Sequence, residues 1–562
     1  MAACRSPGPG LALIPRGDHA TVVSSRTLRW TGFGGSVLLA VAGLLGGHGP
    51  AVVSGWVVGT ALQAYAWWTG RDRPLAPRWV VGTIVLWAAP FLLLPPFGSR
   101  DVHSYACQGE LWLRGLSPYE HTAQTLPCTW VDAVAPIWRD TLTPYGPLFV
   151  LAAAGVVAVA GALPPDPHVT GELAVPLLFR VLALAGTIAT AAGLPVLARR
   201  CGVPPGRALW VALAGPLVGA HLLGGPHNDA LMLGFLVGGL ALAVRFPGRP
   251  VAVLGAGVLL GCAVAIKATA VVVIPFAALI CAAARSGRLV PGVAARSGRL
   301  VSGVAARSGS LVAGVAARSG RLVSGVAARS AGPVAGAAGV PGRWAGLRGV
   351  VVAAAGVGGA AAATFAGITA AGGLGYGWIT GLRESEILIQ FSSLPTALGM
   401  TLTYLGRPFD PAFDAVPAVR AVALVVLAVV LTMLWFRALR ERADPGRAAL
   451  HSAALALGAT VALAPVVLPW YALWPLVLLA ATTVATRAVM AVTVAAAFSV
   501  LPDGAGLTRT VKLPGAILVT ALLAGLAVVA LRRRGARPGD PEPAAPIATS
   551  PAVSRSARGP LG

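Results

Sequence analysis

Charge is what this chain has least of. Asp, Glu, Lys and Arg make up 11% of its 562 residues, against about 25% in an average soluble domain. Acidic residues number 19, and of the 43 basic ones only Lys267 and Lys512 are lysines. There is no P-loop and no dinucleotide-binding glycine fingerprint, and no polar stretch is large enough to build a nucleotide-binding domain. Energy for any group transfer must therefore arrive with a membrane-borne substrate or an ion gradient.

What fills the chain is apolar. Hydrophobic residues are 56% of the total and the mean hydropathy is +0.78. Runs of roughly 17–25 residues recur, each long enough to cross a bilayer as a helix. The expected fold is an all-α polytopic transmembrane bundle. The net charge of +24 raises the question of nucleic acid, but the arginines sit in loops between spans and in the tail rather than in a stripe. They read as topology signals, because basic residues collect on the cytoplasmic side. No nucleic-acid partner is expected. The Arg-for-Lys bias, with abundant Ala and Gly, reads as base composition and carries no functional weight.

Residues 1–29 form a basic tail, read as cytoplasmic and without the short apolar core of a removable signal. Spans are expected near 33–49, 51–68 and 79–95, which places the loop from Pro96 to about Glu172 outside. Residues 146–163 are apolar enough to span. Spanning there would put Arg199, Arg200 and Arg207 outside, so the segment is read as a helix lying on or dipping into the outer leaflet. Such a segment needs cover from protein or a water-filled cavity. Further spans are expected near 174–198, 207–223, 229–246, 251–265, 268–284, 349–367, 417–437, 449–467, 471–486, 488–501 and 514–531. The total is roughly 14 spans, with both termini inside and residues 30–531 forming the membrane domain. Residues 284–338 hold five tandem copies of an 11-residue unit, beginning ARSGRLVPGVA. They form a cytoplasmic insertion, either a lipid-bound polybasic loop or a tolerated expansion. The tail 532–562, rich in Pro, Ala and Ser, is expected to be disordered. Of six cysteines, Cys107 and Cys128 share the outer loop, where pairing and two free thiols are both open.

Four polar clusters interrupt the apolar background. The first is Arg100–Asp101, at the head of SRDVHSYACQGELWLRGLSPY (99–119). A carboxylate at the mouth of a bundle can take a proton from a hydroxyl, and Arg100 suits a phosphate; a local ion pair or helix cap is the alternative. Asp101 and His103 are two metal-type ligands, too few for a site. The second is His227, Asn228 and Asp229 in GGPHNDALM, which either cap a helix or hydrogen-bond sugar hydroxyls. The third is Lys267, flanked by apolar residues, either a phosphate contact or an interfacial anchor. The fourth is Trp470, Tyr471 and Trp474 in LPWYALWPL, an aromatic belt or a stacking platform. Arg383, Glu384 and Glu386 are weaker candidates.

Taken together, Arg100–Asp101, QGELWLRGLSPY (108–119), TPYGPL (143–148), GGPHNDALM (224–232), IKAT (266–269) and LPWY (468–471) resemble the actinobacterial polyprenol-phosphomannose-dependent alpha-1,6-mannosyltransferases of the GT-C superfamily. The resemblance runs from about Arg26 to Leu531 and lies in the order and spacing of the motifs. The 284–338 repeat departs from the family pattern. The resemblance implies a GT-C membrane fold in the plasma membrane, a catalytic carboxylate in the first outer loop and a membrane-lying helix behind a Pro-aromatic-x-Pro-Leu segment, matched by Asp101 and Pro144–Leu148. It implies a polyprenyl-phosphate sugar donor, a lipid-linked glycan acceptor and an extracytoplasmic active site. In that setting Asp101 is the base and Arg100 and Lys267 the donor-phosphate contacts. His103, Tyr105, His227, Asn228, Asp229, Trp470 and Tyr471 would bind sugar or acceptor. No cofactor is required; a divalent metal is possible but not indicated. The alternatives are a transporter or glycolipid flippase, or a GT-C enzyme using another sugar such as arabinose. No repeat of spans of the kind seen in transporters is visible.

Overall fold

The structure is a computed structural model and describes residues 23–92, 94–125, 128–163, 171–285 and 343–535. The first 22 residues, nearly all of the tandem repeat and the tail beyond 535 lie outside them.

Among the described residues the chain is helical, with one isolated antiparallel bridge between Val500 and Gly506. Three helices lead: α1 (Ser25–Leu45), α2 (Pro50–Gly70) and α3 (Pro77–Leu92). Then come α4 (Asp101–Leu113), α5 (Pro147–Ala162), α6 (Gly171–Arg200), α7 (Pro205–Leu213), α8 (Asp229–Arg245), α9 (Pro250–Ile266) and α10 (Ile274–Arg285). The second half holds α11 (Arg343–Ala371), α12 (Trp378–Glu384), α13 (Leu394–Gly406), α14 (Val416–Arg440), α15 (Pro445–Leu463), α16 (Leu473–Thr482), α17 (Arg487–Ala497), α18 (Leu507–Thr510) and α19 (Lys512–Gly535). Proline starts α2, α5, α7, α9 and α15, where its fixed φ helps and its missing N–H is not needed.

Among the described residues six helices are long and apolar enough to cross a membrane, at Ser25–Leu45, Leu173–Arg200, Leu347–Ala371, Val416–Arg440, Pro445–Leu463 and Lys512–Val529. The pair Pro205–Leu213 and Val218–Gly224 makes a seventh if counted as one span bent by 69°. Exposed apolar side chains cover the outer helices, among them Val422, Val425 and Met433 on α14 and Leu518, Leu522 and Leu526 on α19. On a chain of this composition such faces meet lipid. The protein is an all-α polytopic membrane protein.

Several expected spans are resolved differently. The first begins eight residues early, because Ser24 accepts from Thr27 N and caps α1. It ends early too, because Gly46 and Gly47 take positive φ (64° and 70°), which breaks the helix. The expected span 207–223 is the bent pair, whose second half is a π-helical turn, a form found often at functional sites. The expected span 268–284 starts as a 3-10 turn, Ala268–Val273, before α10. The segment 146–163 is the helix α5, packed against α4 and α6. Its 16 residues make about 24 Å at 1.5 Å per residue, less than a hydrocarbon core of roughly 30 Å.

Candidate functional site

α4 has two working faces. Asp101, Ser104 and Gln108, three and four residues apart, share one face and line a cavity of about 200 Å³. Cys107, Glu110 and Arg114 hold the loop that follows. Cys107 is disulfide-bonded to Cys128, with Cα atoms 5.4 Å apart. Buried Glu110 accepts from Thr129 N at 2.9 Å and Thr129 Oγ1 at 3.3 Å, and pairs with Arg114. The loop returns to the cavity at Trp138, Thr141, Leu142, Pro144 and Tyr145. There Gly146 donates to Ile266 O at 3.2 Å. A Cβ at Gly146 would lie 2.4 Å from Ala265 O, so only glycine allows Tyr145 to sit beside the end of α9.

The chain leaves the helix at Lys267, which is extended (φ −148°, ψ 117°) between α9 and the next 3-10 turn. Its ammonium donates to both carboxylate oxygens of Asp229, each at 2.9 Å. Trp474 Nε1 donates to the same carboxylate at 2.5 Å. The Lys267 Nζ also lies 4.4 Å from the Tyr471 ring centre and 5.1 Å from that of Trp474. Lys267 lines the cavity, while the Asp229 side chain is wholly buried behind it. This is a buried, partnered cation, not a snorkelling anchor.

Behind Asp101 stands His227. Its Nε2 is 3.5 Å from Asp101 Oδ2, its Nδ1 is 2.6 Å from His221 O, and its ring lies against Trp470 with centroids 3.8 Å apart. Arg180 brings these pieces together: it donates to Pro95 O, Leu223 O and Gly224 O, clamping the approach to α4 onto the π-helical turn. Burial raises the Asp101 pKa. The His227 imidazole 3.5 Å away, the Ser99 hydroxyl and the Lys267 charge outweigh it and hold the carboxyl below its ordinary value. Asp101 is therefore an ionised carboxylate at neutral pH, able to accept a proton.

The far wall is apolar: Leu382, Leu388, Ala464, Pro465, Val466 and Leu468. Side chains strap it in place. Arg420 donates to Glu386 O and Leu388 O, both at 2.7 Å. Ser393 and Thr396 donate to Ala464 O and Pro465 O at 2.7 and 2.8 Å. Glu386 lines the cavity, whereas Glu384 Oε2 accepts from Leu142 N at 2.7 Å and fixes the loop.

Of the residues expected from sequence, Asp101, Lys267, Tyr471 and Trp474 line the cavity, as does the weaker candidate Glu386. Arg100 is exposed and not on the cavity wall, because it precedes the first turn of α4 and turns to the surface. His103 is half-buried and Tyr105 is buried against Tyr145, Phe149 and Phe179; neither lines the cavity. His227, Asn228, Asp229 and Trp470 form a buried layer behind the wall rather than the wall itself. Asn228 precedes α8 but makes no side-chain cap bond, and the buried Trp470 is no belt residue. Sequence reasoning missed Ser104, Gln108, Tyr145 and Thr269, although each lies inside a quoted motif; the spacing 101, 104, 108 was the available signal for two of them. Among the described residues no three His, Cys, Asp or Glu side chains are grouped to hold a metal.

Two family models match the chain. One, described as alpha-(1->6)-mannopyranosyltransferase, N-terminal domain, covers residues 29–283; the other, MptB C-terminal domain, covers residues 395–531. The chain is 30% identical to alpha-(1->6)-mannopyranosyltransferase A of Mycobacterium tuberculosis, over 82% of this chain and 81% of that protein. It is 29% identical to a probable alpha-(1->6)-mannopyranosyltransferase of Mycolicibacterium smegmatis, over 83% and 80% of the two chains. Alpha-(1->6)-mannopyranosyltransferase B of Corynebacterium glutamicum is 27% identical, over 76% of this chain and 63% of that protein. No solved structure matches.

Proposed function

The chain belongs to the alpha-(1->6)-mannopyranosyltransferase family, a family of hexosyltransferases, and from that premise we propose that it moves mannose from a polyprenyl-phosphate donor to a lipid-linked mannan. The reaction inverts the anomeric centre, turning a beta-linked donor into an alpha-1,6 linkage. It takes place on the extracytoplasmic face of the plasma membrane, with both termini inside.

The observation that carries this reading is the composition of one cavity. A carboxylate (Asp101), a cation (Lys267) and an apolar wall (Leu468, Val466, Pro465, Leu388) line the same space. A lipid phosphate sugar has matching parts: a hydroxyl-bearing ring, an anion and a hydrocarbon chain. Asp101 takes the proton from the acceptor hydroxyl as its oxygen attacks C1 of the donor sugar. The bond from C1 to the phosphate oxygen breaks, and that oxygen keeps the electron pair. Lys267, oriented by Asp229, meets the departing charge, a preorganised electrostatic contribution. Tyr145 and Tyr471 flank the sugar. Asp229 fixes the lysine together with Trp474, which also lines the cavity; His227, held against Trp470, stands behind Asp101, so Asp229, His227 and Trp470 act through their neighbours. Arg100 is given no part in phosphate binding.

Asp101→Asn keeps the shape of the side chain and removes the base. Membranes carrying that variant should lose mannosyl transfer from polyprenyl-phosphomannose by about 10³-fold, with the protein still inserted. Elongation of a mannoside acceptor at the normal rate would show that the base is another group.

A further inference from the structure

Three polar atoms around the cavity are buried without a hydrogen-bond partner: Ser104 Oγ, Gln108 Oε1 and Thr269 Oγ1. An unpaired buried polar atom costs about 1–3 kcal/mol, so each calls for an explanation. Their positions supply one. Ser104 and Gln108 lie one and two turns beyond Asp101 on its own face of α4, and Thr269 lies two residues past Lys267. The polar set thus borders the proposed base on one side and the proposed phosphate contact on the other.

We propose that Ser104, Gln108 and Thr269 recognise the hydroxyls of the transferred sugar and set which sugar the donor can carry. The inference rests on the transferase reading above and deepens it. Hydroxyl and amide side chains each offer both a donor and an acceptor, as sugar hydroxyls do. An ionised phosphate only accepts, and the Lys267 ammonium serves it. In a displacement at C1 the sugar lies between the attacking oxygen at Asp101 and the departing oxygen at Lys267. Groups that border both ends touch the transferred ring rather than a distant ring of the acceptor. A pocket that hydrogen-bonds a substrate hydroxyl rejects the analogue lacking it by up to about 10⁴-fold, so three such groups are enough to discriminate among hexoses and pentoses.

The test compares kcat/KM for a short-chain polyprenyl-phosphomannose with its 2-, 3-, 4- and 6-deoxy analogues, using full-length protein in lipid vesicles and one mannoside acceptor. Wild type should favour the complete sugar by at least about 10-fold over one or more deoxy donors. Ser104→Ala, Gln108→Leu and Thr269→Val should each erase the discrimination against one deoxy position, while Thr269→Ser keeps it. A ratio between donors does not respond to a general loss of folded protein. Where turnover is too low, donor-induced thermal stabilisation compares the ground-state binding of the same donors. Variants that keep every wild-type ratio, or that lose discrimination only among deoxy acceptors, would overturn the assignment and leave the transferase reading standing. A wild type that uses no polyprenyl-phosphate sugar would overturn both.

Discussion

Two ion pairs in this protein use the same chemistry in opposite surroundings. Lys267 and Asp229 meet at 2.9 Å with side chains 11% and 0% exposed. Arg200 and Asp444 meet at 2.5 Å with 18% and 34% exposed, at the junction of α6 and α15. The second pair stays near water, and the chain could have placed it on many helix ends. The first has a third partner in Trp474, two aromatic rings around the ammonium and a cavity in front. Burying both charges costs several kcal/mol per ion before their attraction repays it. A pair that only fastened helices would gain nothing from that location. The difference marks the Lys267 pair as part of a site and the Arg200 pair as a staple.

The largest effect should come from leaving one buried charge alone. Asp229→Asn strands the Lys267 ammonium and should lower stability by about 3–5 kcal/mol, read by thermal unfolding of the detergent-solubilised protein. The double variant Asp229→Leu with Lys267→Met removes both charges and should recover most of that stability. Transfer should nevertheless stay at least about 100-fold down. Recovery of transfer along with stability would make this pair a staple like its counterpart.

A kinetic split sharpens the same contrast. Lys267→Gln should lower kcat/KM for the donor by about 100-fold while the acceptor KM changes little. Equal losses for donor and acceptor would remove the lysine from the phosphate. Behind the other end of the cavity, His227→Gln removes the imidazole 3.5 Å from Asp101 and should slow transfer by about 10-fold, the scale of one polar interaction with a charged group. It should also move the acid limb of the pH–rate profile upward. The sign follows from Asp101, which stays ionised above a pKa that His227 helps to depress. Losing that partner raises the pKa and shortens the range over which the base is available. An unchanged acid limb would leave His227 with packing alone.

Much of the fold, and part of the cavity, is legible in the sequence. The membrane class and most helices were legible, because apolar runs and helix-starting prolines are local signals. Asp101, Lys267 and Tyr471 stood out as polar or aromatic breaks in an apolar chain, and all three reach the cavity. What sequence did not show was depth. Asp229 and His227 sit in polar motifs like a sugar site, yet contacts 38 and 126 residues away in sequence, to Lys267 and Asp101, place them one layer behind it. Arg100 lies off the cavity wall for the opposite reason, since the position of Asp101 says nothing about which way the residue before a helix points. Ser104 and Gln108 were hidden because uncharged polar residues in a polar loop attract no notice until the helix puts them in register with Asp101.

The smallest effect belongs to the staple. Asp444 accepts from both guanidinium nitrogens of Arg200 and from Arg447 N at the start of α15. Burial raises its pKa. The Arg200 hydrogen bonds, the Arg447 N–H and both arginine charges lower it further than that and hold it below the ordinary value. A carboxyl depressed in the folded state adds stability that is complete above its unfolded pKa, near pH 4. The contribution fades as pH falls through the folded value. Asp444→Asn keeps an acceptor for the helix start and removes the charge. At pH 7 it should cost no more than about 1 kcal/mol, because a pair this exposed is screened by solvent. Asp444→Ala also removes the cap, adding about 1 kcal/mol. Below pH 4 the Asn variant and wild type should converge in melting temperature, and at pH 7 both variants should transfer mannose at the wild-type rate. A loss of transfer in Asp444→Asn comparable to that in the Lys267 variants would end the distinction between a site and a staple.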